Sequence, residues 1–446
     1  MKDSSETREV LLVTSSFPRW AGDATTPFVH QLALDLRGLG WDVRVLAPHA
    51  PESKCNEVLD GVPVQRFRYA WPESLESLCY DGGALVKLRS NPARHLLVPF
   101  LVAAQSIAVL CRMLRSRVAL VHSHWLLPQG FTSALAARLL RRPHIVTVHG
   151  GDVFALRGPV SRAAKRLVLR LADAITVNSE ATRRAVLELA PCGEKVVRIP
   201  MGAEDAAAPD PREVAQLRAA LCAEGGPLLV FVGRLVPEKG AADLLEAIAI
   251  LAPSLPGTCA VVIGDGPQRQ ALEDQARALG IERRVRLTGW LSPAEVRMHL
   301  HASDVFVGPS RPAPDGWIEA QGLTFIEAML AGLPVVATGI GGIIDAVRHE
   351  STGLLVAPAA PNAIVDAVRR LAGGRSASGG GLSAQLHRRR RWEGGAAGDV
   401  AAGQHLTGGG SVSEPSGNGR GGAVVGRAGP GGGGGRGGVG VGGQPL

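Results

Sequence analysis

The chain alternates short runs of Val, Ile and Leu with stretches of helical spacing, and it does so twice. The first series is EVLLVTS (9–15), WDVRVLAP (41–48), ALVHSHW (119–125), HIVTVHG (144–150), DAITVNS (173–179) and VVRIP (196–200). The second is PLLVFVGR (227–234), CAVVIGDG (259–266), RVRLTGW (284–290), DVFVGPS (304–310) and LPVVAT (333–338). A strand that is apolar at nearly every position is covered on both faces, and strands separated by helices pair in parallel. The pattern predicts an α/β chain of two tandem doubly wound, Rossmann-like domains, with ligand expected in the cleft between them at the carboxyl ends of the strands. The boundaries read as an N-terminal domain over 1–200, a polar, Pro-containing linker over 201–212, a C-terminal domain over 213–372 and a tail over 373–446.

The tail breaks the pattern. It holds 28 of the 57 glycines, the run HRRRRW (387–392) and almost no apolar periodicity. Such a composition cannot bury enough surface to offset the entropy of ordering, so disorder is expected there. The change follows directly on the helical pattern of Asn362–Leu371, as a shift of reading frame in a GC-rich coding sequence would produce.

The net charge of +8 conceals an asymmetry. Residues 1–200 carry 26 basic and 17 acidic side chains, whereas residues 201–372 carry 14 and 20. Within 85–170 there are fourteen basic residues and one acid, Asp152. Aromatics make up 4% of the chain and no basic stretch is interleaved with stacking residues, which argues against a nucleic-acid partner. A phosphate-bearing substrate or an anionic membrane surface fits the basic half, and so does a generic solvated surface. The run LLVPFLVAAQSIAVLC (96–111) is the most apolar. It is short of the roughly 20 residues that span a bilayer, and reads as a buried or groove-lining helix or as a monotopic membrane contact. The six cysteines lie far apart, against a disulfide framework or a zinc site and in keeping with a reducing compartment. No signal-peptide run opens the chain, so a cytoplasmic location is expected, peripheral on the inner face of the membrane if the basic half docks there.

Six stretches carry the candidate chemistry. In GWIEAQGLTFIEAMLAGLPVVAT (316–338), Glu319 and Glu327 stand with seven residues between them in an otherwise apolar setting. Thr324 and Glu327 fit a capping box, which would make Glu327 a helix cap. Glu319 lies in the loop before Gly322, where an acceptor-only carboxylate can bridge two sugar hydroxyls. In VFVGRLVPEKG (230–240) a strand ends at Gly233, and Arg234 and Lys239 flank a turn before a helix, which reads as a diphosphate clamp or as two solvent-exposed basic residues in a loop. In VIGDGP (262–267), Gly264 lets backbone approach a nucleotide closely. TVHGGDVF (147–154) sets His149 at a strand end, where it reads as structural or as facing a ligand that the Gly-Gly turn makes room for, and FPRWAGDATTPF (17–28) forms a loop with Gly22 that could close over the same ligand. The two histidines of HSHWLLPQG (122–130) read as structural or as part of an acceptor site. No Asp-x-Asp pair occurs, so a carboxylate metal clamp is not expected.

Taken in order over roughly 9–372, these motifs resemble the retaining nucleotide-sugar glycosyltransferases of glycosyltransferase family 4, which have the GT-B fold. The resemblance implies transfer of a hexose from a UDP- or GDP-sugar to a saccharide or lipid-linked acceptor, without metal or other cofactor, as in polysaccharide biosynthesis. It implies that Arg234 and Lys239 neutralise the leaving diphosphate, Glu327 holds the ribose, Glu319 and His149 contact the transferred sugar, and the Gly22 loop lies beside the phosphates. Gly233, Gly264 and Gly322 would shape the donor pocket, which the helix after Gly339–Gly342 would line. Ala320 stands where many family members have Gly, and the tail stands where they continue with further helices. The alternatives are therefore a nucleotide-sugar-binding remnant impaired in catalysis, or another GT-B enzyme such as a sugar-nucleotide epimerase.

Overall fold

The computed structural model describes residues 9–23, 25–80, 83, 84, 87, 88, 91–203, 206–314 and 316–373. The tail from 374 onward, where disorder is expected, lies outside them. The described strands form two sheets. The first comprises β1 (Glu9–Val13), β2 (Asp42–Pro48), β3 (Asn56–Leu59), β4 (Val62–Phe67), β5 (Val118–His124), β6 (His144–Val148), β7 (Ala174–Val177) and β8 (Val196–Arg198), in the order β3-β4-β2-β1-β5-β6-β7-β8. The second comprises β9 (Leu228–Val232), β10 (Cys259–Ile263), β11 (Val285–Gly289), β12 (Val305–Gly308), β13 (Val335–Thr338) and β14 (Gly353–Val356), in the order β11-β10-β9-β12-β13-β14. Only β3 and β4 pair antiparallel among these strands.

Both sheets are doubly wound. The winding reverses between β1 and β5 in one and between β9 and β12 in the other, which opens a crevice at the carboxyl ends of those strands. The continuous apolar runs are explained by double coverage. In β1, Leu11 and Val13 face one core while Val10 and Leu12 face another; in β9, Leu229 and Phe231 oppose Val230. The antiparallel β3 is an addition at the edge. Its hairpin turns on Asp60 (φ 49°) and Gly61 (φ 83°), both in the left-handed region that two-residue hairpins favour.

The helix Pro211–Leu221 begins inside the stretch read as linker, with Asp210 accepting from the Arg212 N–H as its cap. The helix Pro361–Gly373 ends the described chain and packs Ile364, Val365, Val368 and Leu371 into the core beside the helix Ala241–Leu251.

The apolar run at 96–111 is longer than its composition suggested. A helical run of 24 residues, Pro92–Arg115, has a mean hydropathy of 1.9, enough by length and composition to cross a membrane. Its inner face is tied to the domain. Leu101, Gln105, Val109 and Met113 are buried, and Gln105 Nε2 donates to Thr132 Oγ1 at 2.5 Å. Its outer face is not covered: Phe100, Ile107 and Leu114 are 62%, 63% and 70% exposed.

The two sheets' domains meet along a short junction. Gln321 brackets Met201, donating to its carbonyl at 2.7 Å and accepting from its N–H at 2.8 Å. Asp345 accepts from the Glu180 N–H at 2.6 Å and lies 3.7 Å from Arg198.

Candidate functional site

The junction centres on the turn Glu319–Gly322. Its path is fixed by close backbone approaches. A Cβ on Gly150 would fall 2.2 Å from the Ala320 Cβ, so the HGGD turn of the first domain lies directly on this turn of the second. From behind, the Gly342 N–H donates to the Glu319 carbonyl at 2.9 Å. Gly322 (φ 76°) then enters the helix Leu323–Leu330 from the left-handed region.

Glu319 is 8% exposed, and its carboxylate forms an ion pair with the Lys239 ammonium. Lys239 also lies 5.5 Å from the centroid of the Trp317 ring. It leaves a 3₁₀ turn, Pro237–Lys239, that two further residues hold in place. Arg311 grips the buried carboxylate of Asp243, in the first turn of the helix Ala241–Leu251, with its Nε at 2.6 Å, and the Arg311 backbone N–H donates to the Glu238 carbonyl at 2.8 Å. The Asp243 carboxylate raises the Arg311 pKa further above its already basic value. Asp243 and Arg311 carried no sequence signal, because they lie 68 residues apart.

The Gly233 turn runs beside Lys239 and against the Gly264 turn. The position of a Cβ on Gly233 is 3.9 Å from Lys239 Cδ, and one on Gly264 would fall 2.0 Å from the Gly233 carbonyl oxygen. Arg234 follows at the end of β9, half-buried. Glu319, Lys239, Gly233, Gly264 and Gly322 thus converge by direct contact.

Glu327 is not a cap. Gly322 is the N-cap residue and no side chain bonds the helix start, so Thr324 already sits within the first turn and the expected capping box does not form. The Glu327 carboxyl is half-buried, has no hydrogen bond or ion pair with a described residue, and has its pKa raised by burial.

His149 projects from the end of β6, one residue before the Gly150–Ala320 contact. Its Nε2 lies 3.0 Å from Nδ1 of His124, at the end of β5. Trp125, Phe28 and His124 enclose it, with ring centroids at 4.7, 5.1 and 5.2 Å. Burial, with His122 nearby, pushes the His149 pKa down to about 3, so the imidazole is neutral. Asp152 fixes the turn by accepting from the backbone N–H groups of His149 and Leu126 at 3.1 and 2.9 Å. Burial pushes the Asp152 carboxyl up while those donors pull it down.

Gly22 (φ 85°) sits in a loop tied to its own domain. Asp23 accepts from the side chain and backbone of Arg19, and the Arg19 guanidinium lies over Trp20 and Tyr80. Among the described residues nothing lies within 4 Å of a Cβ built on Gly22, so the structure does not join it by contact to the Lys239–Glu319 pair; Phe28, in the first turn of the following helix, touches His149.

Sequence comparison adds to this geometry. Residues 24–202 match the glycosyl transferase 4-like domain model, and residues 215–378 match that of glycosyl transferases group 1. A 2-deoxystreptamine glucosyltransferase from Streptomyces kanamyceticus is 34% identical over 253 residues, covering 53% of this chain and 63% of that protein. A GDP-mannose-dependent alpha-(1-6)-phosphatidylinositol monomannoside mannosyltransferase from Mycobacterium tuberculosis is 31% identical over 229 residues, covering 51% and 60%. The chain thus matches less than two thirds of the length of these relatives. Among solved structures, sucrose-phosphate synthase from Thermosynechococcus elongatus superposes with a TM-score of 0.67 at 23% identity, covering 90% of this chain and 99% of that one. HepE from Anabaena, solved with UDP and glucose, superposes with a TM-score of 0.65 at 19% identity and the same coverage. Fold and domain models place the chain in the glycosyltransferase class, with the GT-B fold. The finer assignment rests on the site itself.

Proposed function

We propose that the protein transfers a hexose from a UDP- or GDP-sugar to a saccharide or lipid-linked acceptor, retaining anomeric configuration and using no metal ion. The observation that carries this reading is the Lys239–Glu319 ion pair, set where the Gly150 turn of one domain meets Ala320 of the other. Breaking a glycosyl–diphosphate bond builds negative charge on the leaving group, and preorganised cations lower that barrier. Lys239 and Arg234 supply them. An arriving diphosphate would compete with Glu319 for the Lys239 ammonium and free the carboxylate for the sugar's hydroxyls. Glu327, half-buried and unpartnered, suits a pair of ribose hydroxyls, and His149 suits a hydroxyl on the sugar's far side.

The relatives' names support the donor class: one is a glucosyltransferase and another is GDP-mannose-dependent. The test is to incubate the purified protein with UDP- and GDP-hexoses and measure thermal stabilisation, donor consumption and the linkage formed on added acceptors. One nucleotide class should stabilise the protein, and the product should keep the donor's anomeric configuration. Stabilisation without turnover would reduce the function to nucleotide-sugar binding, and no response to either donor would overturn the reading.

The same proposal includes a peripheral contact with the inner, anionic face of a membrane. The uncovered side chains Phe100, Ile107 and Leu114 share their helix with the exposed Arg115, and the neighbouring helix Phe131–Leu139 exposes Leu139 at 70% next to the exposed Arg138. An apolar stripe rimmed by cations is the form that lies in a bilayer interface. The protein should sediment with vesicles containing phosphatidylglycerol and not with phosphatidylcholine alone, and Phe100→Asp with Ile107→Asp should abolish sedimentation. Equal sedimentation of that variant would remove the contact.

A further inference from the structure

We propose that His124 is a positioning residue that fixes the tautomer of His149, so that His149 presents an N–H at Nδ1 and acts as a hydrogen-bond donor towards the cleft. The inference rests on the reading above only in placing His149 at the donor sugar; the tautomer itself follows from the geometry.

His124 Nδ1 and His149 Nε2 are 3.0 Å apart, and their rings are within 19° of parallel. One of the two nitrogens carries the shared proton. The opposite nitrogen of His124 decides which. Its Nε2 is buried and has no partner among the described residues. If His149 donated, His124 would have to carry its own proton on Nε2, as a buried N–H with no acceptor. If His124 donates from Nδ1, its Nε2 is a bare acceptor. Unmet buried donors are rarer in folded proteins than unmet acceptors, because an orphaned N–H loses a water bond that nothing replaces. His124 therefore donates, His149 Nε2 accepts, and the remaining proton of the neutral His149 ring goes to Nδ1. No described side chain or backbone group partners that atom.

The surroundings hold both rings in place. The β5–β6 ladder sets His124 opposite Thr147, and the Trp125 N–H donates to the Thr147 carbonyl at 2.9 Å. The His122 ring packs 4.7 Å from His124, and its Nε2 lies 2.7 Å from Thr147 Oγ1. Trp125 follows His124 with φ 73° and ψ 144°, a conformation that side chains other than glycine avoid and that persists only where neighbours enforce it. The strain has a local result: the indole lies against the His149 ring, 4.7 Å away between centroids. With Phe28 on another side, the imidazole has little room to rotate.

The test combines nitrogen NMR with kinetics. Histidine-labelled protein at neutral pH would be recorded with and without His149→Gln, whose missing signals assign His149. The expected result is a protonated Nδ1 and a bare Nε2 at His149. His124→Asp offers only an acceptor and should invert that pattern, and it should cut turnover about 10-fold or more with little change in KM. His124→Asn offers an amide N–H near the position of Nδ1 and should restore both the tautomer and most of the rate. A wild-type His149 protonated on Nε2, or one tautomer shared by the Asp and Asn variants, would overturn the proposal. The inverted tautomer with an unchanged rate would leave His124 controlling the ring but refute the placement of His149 at the sugar.

Discussion

At the scale of single residues the site is a balance of charges that lack their final partners. Lys239 is neutralised by Glu319, and Glu327 by nothing among the described residues. Replacing Lys239 or Arg234 with Ala should lower kcat by about 100-fold or more, the scale of losing a donor to a developing anion, with a melting temperature close to the parent's. A rate within a few-fold of the parent would remove that residue from the mechanism. Glu327→Gln should weaken nucleotide binding in calorimetry. It should not destabilise the protein, because the carboxyl caps no helix and burial already disfavours its charge. The histidines make a separate prediction. Burial holds His122 and His144 at about 4 and His149 at about 3 in the folded protein, against 6.5 in an unfolded chain. The unfolded state therefore binds the extra protons below 6.5. Their contribution should be flat above that pH and lower the stability as pH drops from 6.5 towards 4, by up to about 1.4 kcal/mol per pH unit for each histidine. Urea titrations across this range check the slope, and His144→Asn should reduce it.

At the scale of elements, glycine turns let strands and loops meet where side chains would keep them apart. Gly264→Ala would push a Cβ into the Gly233 carbonyl at a backbone φ of 129°, so it should destabilise the protein by about 1–3 kcal/mol and shift the Lys239 turn; a neutral substitution would show that the two turns do not rely on that approach. The parallel strands were legible in the sequence because double burial leaves long apolar runs. The edge hairpin β3–β4 was not read, although Asp60–Gly61 carries a recognised turn signal, because its flanks mix polar and apolar residues. β14 is absent from the sequence reading, although it is as long as β12 and β13. The capping box at Thr324 failed for a local reason: Gly322 starts the helix earlier than the Thr–Glu spacing implied. The motifs around Glu319, Lys239 and Gly233 were readable because each places glycine and charge together in the connection between a strand and a helix. Asp243–Arg311 and His124–His149 were not, because those contacts cross between segments that share no local pattern.

At the scale of the whole molecule the central fact is that two domains close on one turn. Among the described residues the junction is crossed by Gln321 with Met201, Asp345 with Glu180 and Arg198, Arg157 with the Gly316 carbonyl, Gly150 with Ala320, and Ile318 against the core of the first domain. Gln321→Ala should raise the donor KM several-fold and speed hydrogen exchange around 199–203, with little effect on global unfolding; unchanged exchange would show the junction does not depend on it. The most direct measurement is a crystal structure with a UDP- or GDP-sugar bound. The expected density has the diphosphate within hydrogen-bond reach of Lys239 and Arg234, the ribose at Glu327, and Glu319 released from Lys239 onto the sugar. A nucleotide bound away from that turn, with the Lys239–Glu319 pair intact, would contradict the account.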